Sequence, residues 1–275
     1  SDLDGTQVAI KEFFMSDING RDTFTVTSSN RDGLFDKYKR KFVKEAQNLE
    51  RLKHKNIIHV LEEFEANNTV YYAMTFMEGG SLDEYISRKG RLTEQETLKI
   101  TGHIIDALTY MHSMRMLHLD LKPLNIMMQY GEPVLIDFGL SKHYDKEGHA
   151  TSTINSFGYS EGYAPTEQYG GITTFSPGAD VYALGATLFY CLTGKTPPRA
   201  LDLRPGEMAG MLPETVSDRL REVIRRMTLD KHDRPSSLSG LLDASTSTDT
   251  VRVETVSDNS TKSFVKSVAE ADNPA

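Results

Sequence analysis

The chain has 275 residues, 38% of them hydrophobic and 25% charged, with a formal net charge of −8. That apolar fraction suffices for a substantial core in one or two domains, while the acidic balance argues against a general affinity for nucleic acid or an anionic membrane surface. A single cysteine, Cys191, excludes an internal disulfide framework and fits a reducing, cytoplasmic setting; no apolar segment is long enough to span a bilayer, and the start shows no signal-peptide pattern.

The first clear element is the apolar, β-branched run Gln7-Val8-Ala9-Ile10-Lys11-Glu12-Phe13-Phe14, which predicts a strand. A polar stretch over 15–32 reads as a loop or ragged hairpin. From 34 to 53 the apolar residues Phe35, Tyr38, Phe42, Ala46, Leu49 and Leu52 recur at three-to-four spacing, which predicts a helix carrying Glu45. Strands are expected over 57–64 and 69–74, with 65–68 as the turn. The segment Thr75-Phe76-Met77-Glu78-Gly79-Gly80 follows.

The chain then turns helical. Ser81-x-x-Glu84 and Thr93-x-x-Glu96 have the form of capping boxes, which satisfy orphan amides at a helix start. The second opens a helix to about residue 112, whose stripe of Ile100, Ile104, Ala107, Leu108 and Met111 is core packing. Beyond it lies the polar grouping His118-Leu119-Asp120-Leu121-Lys122-Pro123-Leu124-Asn125. The apolar run Val134-Leu135-Ile136 and the triplet Asp137-Phe138-Gly139 come next. Residues 137–167 are rich in Ser, Thr and Gly and end in Gly162-Tyr163-Ala164-Pro165-Thr166-Glu167-Gln168. An apolar helix is expected from Asp180 to about residue 193, stopped by Gly194 and Pro197-Pro198; Cys191 lies inside it as an inert core residue. Further helices are expected over 217–229 and 236–242. Beyond 242 the composition shifts to Ser, Thr, Asp and Val, so 243–275 reads as a disordered tail or linker. The eight histidines show no metal-ligand spacing.

These motifs, in this order, resemble the catalytic domain of eukaryotic-like, bacterial-type serine/threonine protein kinases over roughly residues 8–242. The resemblance implies an α+β fold of two lobes: a small antiparallel β lobe with its C-helix (about 1–74), a hinge at 75–80, and a larger, mainly helical lobe (about 81–242). It implies ATP and Mg²⁺ as cofactors, with Mn²⁺ as an alternative ion, and a protein substrate. Autophosphorylation of the activation segment or tail is a further implied partnership. Phosphoryl transfer asks a protein chiefly for positioning and charge stabilisation. In the family pattern Asp120 is the base that orients the substrate hydroxyl, and Lys122 offsets charge on the transferring phosphate. Asn125 and Asp137 hold the metal through hard oxygen ligands. Lys11, paired with Glu45, reaches the nucleotide phosphates. The backbone of Thr75 and Met77 bonds the adenine, with Met74 at the back of its pocket. Ser160 falls where the family bridges the catalytic aspartate and lysine. Glu167 is expected to pair with Arg234, and Asp180 to hold the catalytic loop by its backbone amides.

Two departures stand out. Leu119 replaces the arginine that in many relatives clamps a phosphorylated activation segment through charge-assisted hydrogen bonds, so activity is expected not to depend on that clamp. The first strand and glycine-rich, phosphate-covering loop are also missing ahead of Lys11, since only Gly5 occurs there. The chain therefore reads as an N-terminally truncated fragment, with weakened nucleotide binding. Two alternatives accompany the kinase reading. One is a pseudokinase scaffold with little turnover; the other, more distant, is a small-molecule phosphotransferase, whose relatives usually have histidine in place of Lys122.

Overall fold

The computed structural model describes residues 5, 7–16, 19–28, 33–145, 147–149, 158–170 and 176–242; the expected tail at 243–275 lies outside them. Three strands, β1 (Val8–Glu12), β4 (Val60–Ala66) and β5 (Thr69–Thr75), form an antiparallel sheet in the order β1-β5-β4. The polar stretch after β1 contains a hairpin, β2 (Asn19–Asp22) with β3 (Thr25–Ser28). Helix α1 (Leu34–Arg51) packs on β4 and β5, burying Phe35, Phe42, Ala46 and Leu49 on one stripe. This is the face that the three-to-four spacing marks out. The helix stops two residues short of the expected 53 because Leu52 turns extended at φ −79° and ψ 117°.

The strand expected from 57 begins only at Val60. Residues 57 and 58 are drawn instead to the other lobe: Ile57 bridges Leu135, and the Ile58 amide donates to the Leu135 carbonyl at 2.9 Å. Their apolar character reflects burial between the lobes, which alternation alone cannot distinguish from a strand.

In the large lobe, α2 (Leu82–Lys89) and α3 (Glu94–Ser113) both begin with complete capping boxes, from Ser81 and Glu84 and from Thr93 and Glu96. Two short ladders follow. One pairs β6 (Met116–Leu117) with β9 (Lys142–His143), the other β7 (Ile126–Gln129) with β8 (Glu132–Leu135). After the short α4 (Thr166–Tyr169) comes α5 (Gly178–Thr193), buried through Leu192. A helix so encased reads as apolar all round. Cys191 is buried there, and burial pushes its thiol up to about 12, so it stays an inert thiol. Helix α6 (Asp218–Met227) is capped by Ser217, which accepts the Leu220 amide at 3.2 Å.

The helix expected over 236–242 does not form. Gly240 takes φ +67°, and the Ser237 hydroxyl accepts the Ser239 amide at 3.1 Å, so local turns replace helical bonds. Leu238 and Leu241 are still buried and cover the core from these turns. Among the described residues no helix is long and apolar enough to cross a membrane.

Candidate active site

The connection from β5 to α2 crosses close above β7, and its glycines are required for that. A Cβ on Gly79 would lie 1.5 Å from the Met128 carbonyl oxygen, and Gly80 adopts φ +75°. The Gly80 carbonyl accepts the Met128 amide at 2.8 Å, and the Glu78 amide donates to Gln129 Oε1 at 2.9 Å. Behind this connection lies a cavity of about 320 Å³, a size typical of small-molecule pockets. Ala9, Ile58, Met74, Met77, Met127 and Ile136 make its walls apolar, and Lys11 and Asp137 make one end charged. Thr75 and Met77 both line it. The Thr75 amide already donates to the His59 carbonyl at 3.1 Å, so that amide is not free to meet a base.

At the charged end, Lys11 Nζ lies 3.0 Å from Glu45 Oε1 and 3.0 Å from Asp137 Oδ1. Burial alone would lower the Lys11 pKa, but the Glu45 carboxylate, followed by Tyr72 and Asp137, outweighs it and holds the ammonium charged. Burial would likewise raise the Asp137 pKa. The Lys11 charge and hydrogen bond overturn that and keep the carboxyl below its usual range. Asp137 adopts φ +59°, a conformation unfavourable for a residue with a Cβ. It leaves the carboxylate side chain 45% exposed toward the cleft, while Phe138 is buried against His118 with ring centroids 4.9 Å apart.

The second cluster comes from the loop between β6 and β7. Asp120 Oδ2 accepts from Lys122 Nζ at 3.0 Å and from Asn125 Nδ2 at 2.9 Å; its Oδ1 accepts the Ser160 hydroxyl at 2.6 Å. Lys122 also donates to Ser160 Oγ at 2.6 Å. Asn125 Nδ2 further bonds the Asp120 carbonyl at 2.8 Å, which turns its side-chain oxygen away from the aspartate. The two clusters are tied together by the Ile136 amide, which donates to the Asn125 carbonyl at 2.9 Å. The fully buried His118 feels the charges of both Asp120 and Asp137. Residues up to 126 positions apart thus meet at one cleft.

The loop is anchored from below. Asp180, fully buried on α5, accepts the amides of His118 at 3.0 Å and Leu119 at 2.8 Å, and contacts His112 Nε2 at 2.8 Å. Burial would raise the Asp180 pKa, yet the His112 hydrogen bond and charge lead the contacts that keep it low. Leu119 adopts φ +63° and packs in an apolar cluster with Leu117, Ala179, Leu140 and Tyr144. Its carbonyl accepts Gln168 Nε2 at 3.0 Å. The expected Glu167–Arg234 pair forms at 2.8 and 3.3 Å.

Three contributors escaped the sequence reading: Tyr72, His112 and Gln168. Tyr72 donates its hydroxyl to Glu45 at 3.0 Å. Strand alternation held a signal for it, because residues 72 and 74 of one strand share a face. His112 and Gln168 act through folds of the chain that no local pattern announces.

A family model described as protein kinase domain matches residues 7–270. The chain belongs to the protein kinase domain family. Among bacterial relatives of this kinase domain, serine/threonine-protein kinase B of Synechocystis is 32% identical over 223 residues, covering 77% of this chain and 38% of the relative. Serine/threonine-protein kinase PrkC of Bacillus subtilis is 34% identical over 161 residues, covering 58% of this chain and 24% of the relative. The chain therefore spans well under half the length of these curated relatives. The solved structure of PpkA-294 in its apo form superposes with a TM-score of 0.71 at 25% identity, over 86% of this chain and 85% of that one.

Proposed function

We propose that this chain is the catalytic part of a serine/threonine protein kinase, transferring the ATP γ-phosphate to a protein hydroxyl with Asp120 as base. The observation that carries this reading is the convergence of two hydrogen-bonded clusters, Lys11–Glu45–Asp137 and Asp120–Lys122–Ser160–Asn125, on one cleft with an apolar chamber beside it.

The residues present fit the implied groups. The apolar chamber suits a base, and the Asp137 carboxylate and Asn125 amide oxygen are hard-oxygen donors of the kind that would hold Mg²⁺. When bound, nucleotide and metal supply the transferable phosphoryl group and neutralise its charge. The chain supplies the rest. Lys11, steadied by Glu45, offers an ammonium to the phosphates. Asp120, its geometry set by Asn125 and Ser160, takes the proton of the incoming hydroxyl as its oxygen bonds the γ-phosphorus and the bond from that phosphorus to the β-phosphate oxygen breaks, releasing ADP. Lys122 offsets charge on the group in transit, and the site's fixed donors need no rearrangement at that moment. A lysine two residues after the base matches the Ser/Thr branch. The substrate is a protein hydroxyl, and the chain's own activation segment and tail are candidates for it. Mn²⁺ would serve in place of Mg²⁺ with the same ligands.

Incubation with labelled ATP, Mg²⁺ and a generic protein substrate tests the reading. Asp120→Asn should lower transfer by about 10²–10⁴-fold, the usual contribution of a general base, while nucleotide binding by calorimetry holds. Equal transfer by variant and parent, or none by the parent, would overturn it.

A further inference from the structure

Tyr72 is among the largest fully buried side chains of the described residues, at 1% exposure, and its place follows from strand register. Strands β1 and β5 pair with Lys11 opposite Tyr72, so both side chains leave the sheet on one face. That face is covered by α1, on which Phe42 and Glu45 are three residues apart and therefore neighbours. The tyrosine ring packs on Phe42 with centroids 5.0 Å apart. Its hydroxyl donates to Glu45 Oε1 at 3.0 Å, the same oxygen that accepts Lys11 Nζ. The Lys11 ammonium lies 5.7 Å from the centre of the tyrosine ring.

We propose that Tyr72 is a positioning residue for phosphoryl transfer: its hydroxyl holds Glu45, and through it Lys11 and α1, in the arrangement that presents the ammonium to the nucleotide. The inference rests on the kinase reading above. Its physical basis is a contest for Lys11, whose Nζ is shared at equal distance between Glu45 and Asp137. Glu45 is 11% exposed at its side chain and Asp137 45%. Solvent can stabilise Asp137 without the lysine, but Glu45 depends on protein partners. The phenol supplies one and so fixes the carboxylate rotamer that keeps Lys11 from swinging fully to the metal-binding aspartate. Burial, followed by the Glu45 charge, raises the phenol pKa, so the group remains a donor across the working range of pH.

The test is a double-mutant cycle of Tyr72→Phe and Glu45→Gln in the whole chain. The phenylalanine keeps the ring against Phe42 and removes only the hydroxyl. A hydrogen bond to a charged group is worth about tenfold or more. Tyr72→Phe should therefore lower kcat/KM for transfer about tenfold and speed amide exchange in α1 by a similar factor. In the Glu45→Gln background the same change should do neither, because the acceptor charge is already gone. Undiminished losses in that background, or none in the parent, would overturn the proposal. The two readouts separate it from the kinase reading. A parent that transfers no phosphate refutes the kinase reading and with it the role of Tyr72 in transfer, while faster α1 exchange in Tyr72→Phe would still show the hydroxyl holding Glu45 and α1. A parent that transfers phosphate with both readouts untouched by Tyr72→Phe keeps the kinase reading and refutes the role of Tyr72.

Discussion

Removing Glu167 probes how the segment that carries Ser160 is fastened to the large lobe. The Arg234 side chain is 1% exposed and Glu167 15%. Besides the two bonds to Glu167, the guanidinium donates to the Gly178 carbonyl at 2.9 Å and the Leu229 carbonyl at 2.9 Å, and lies 5.1 Å from the Tyr182 ring centre. Glu167→Ala leaves those carbonyls in place but strands a nearly buried cation without its carboxylate. Breaking a buried pair from one side costs about 3–5 kcal/mol. With about 2–4 °C per kcal/mol for a domain of this size, the melting temperature should fall by about 6–20 °C. Transfer should fall too, because the next residue, Gln168, holds the Leu119 carbonyl of the catalytic loop. The diagnostic comparison is with Glu167→Leu combined with Arg234→Met, which removes both charges and should be more stable than Glu167→Ala alone. Urea denaturation with unchanged slope measures both. A Glu167→Ala loss below about 1 kcal/mol, the level of an exposed pair, would refute the argument. So would a double variant no more stable than the single.

Other expectations follow from single contacts. Ser160→Ala removes the hydroxyl that joins Asp120 to Lys122 and should reduce kcat about tenfold, as loss of a charged hydrogen bond implies; Ser160→Thr, which keeps the hydroxyl, should recover most of it. Lys142, buried on β9, has its ammonium pushed down to about 8, first by burial and then by the charges of Lys41 and Lys44. Its folded pKa is thus below its unfolded one, and between about pH 8 and 10.5 the unfolded chain binds the extra proton. Stability should therefore rise with pH through that window. Lys142→Met should flatten the rise in urea titrations.

The candidate site's local groupings were legible because they are written in short, fixed spacings. Asp120, Lys122 and Asn125 share one loop, and the turn at Pro123–Asn125 brings the amide back onto the aspartate. The capping boxes of α2 and α3 were equally legible, since a cap is a contact between residues three apart. Apart from the long-range pairs that the family resemblance supplied, such as Lys11–Glu45 and Glu167–Arg234, legibility failed where a residue's environment came from elsewhere. Ile57 and Ile58 looked like strand and proved to be interlobe packing, while 236–242 looked helical and proved to be turns that bury two leucines.

What the sequence by itself determined is the set of chemical groups and the local elements that carry them, because propensity, capping and periodicity act over a few residues. Only the tertiary structure decided that Tyr72 would share the oxygen that Lys11 seeks and that His112 would back the aspartate holding the catalytic loop. Those contacts depend on strand register and on which helix packs behind which loop, and both are set by the folding of distant segments against one another rather than by any neighbour in the chain.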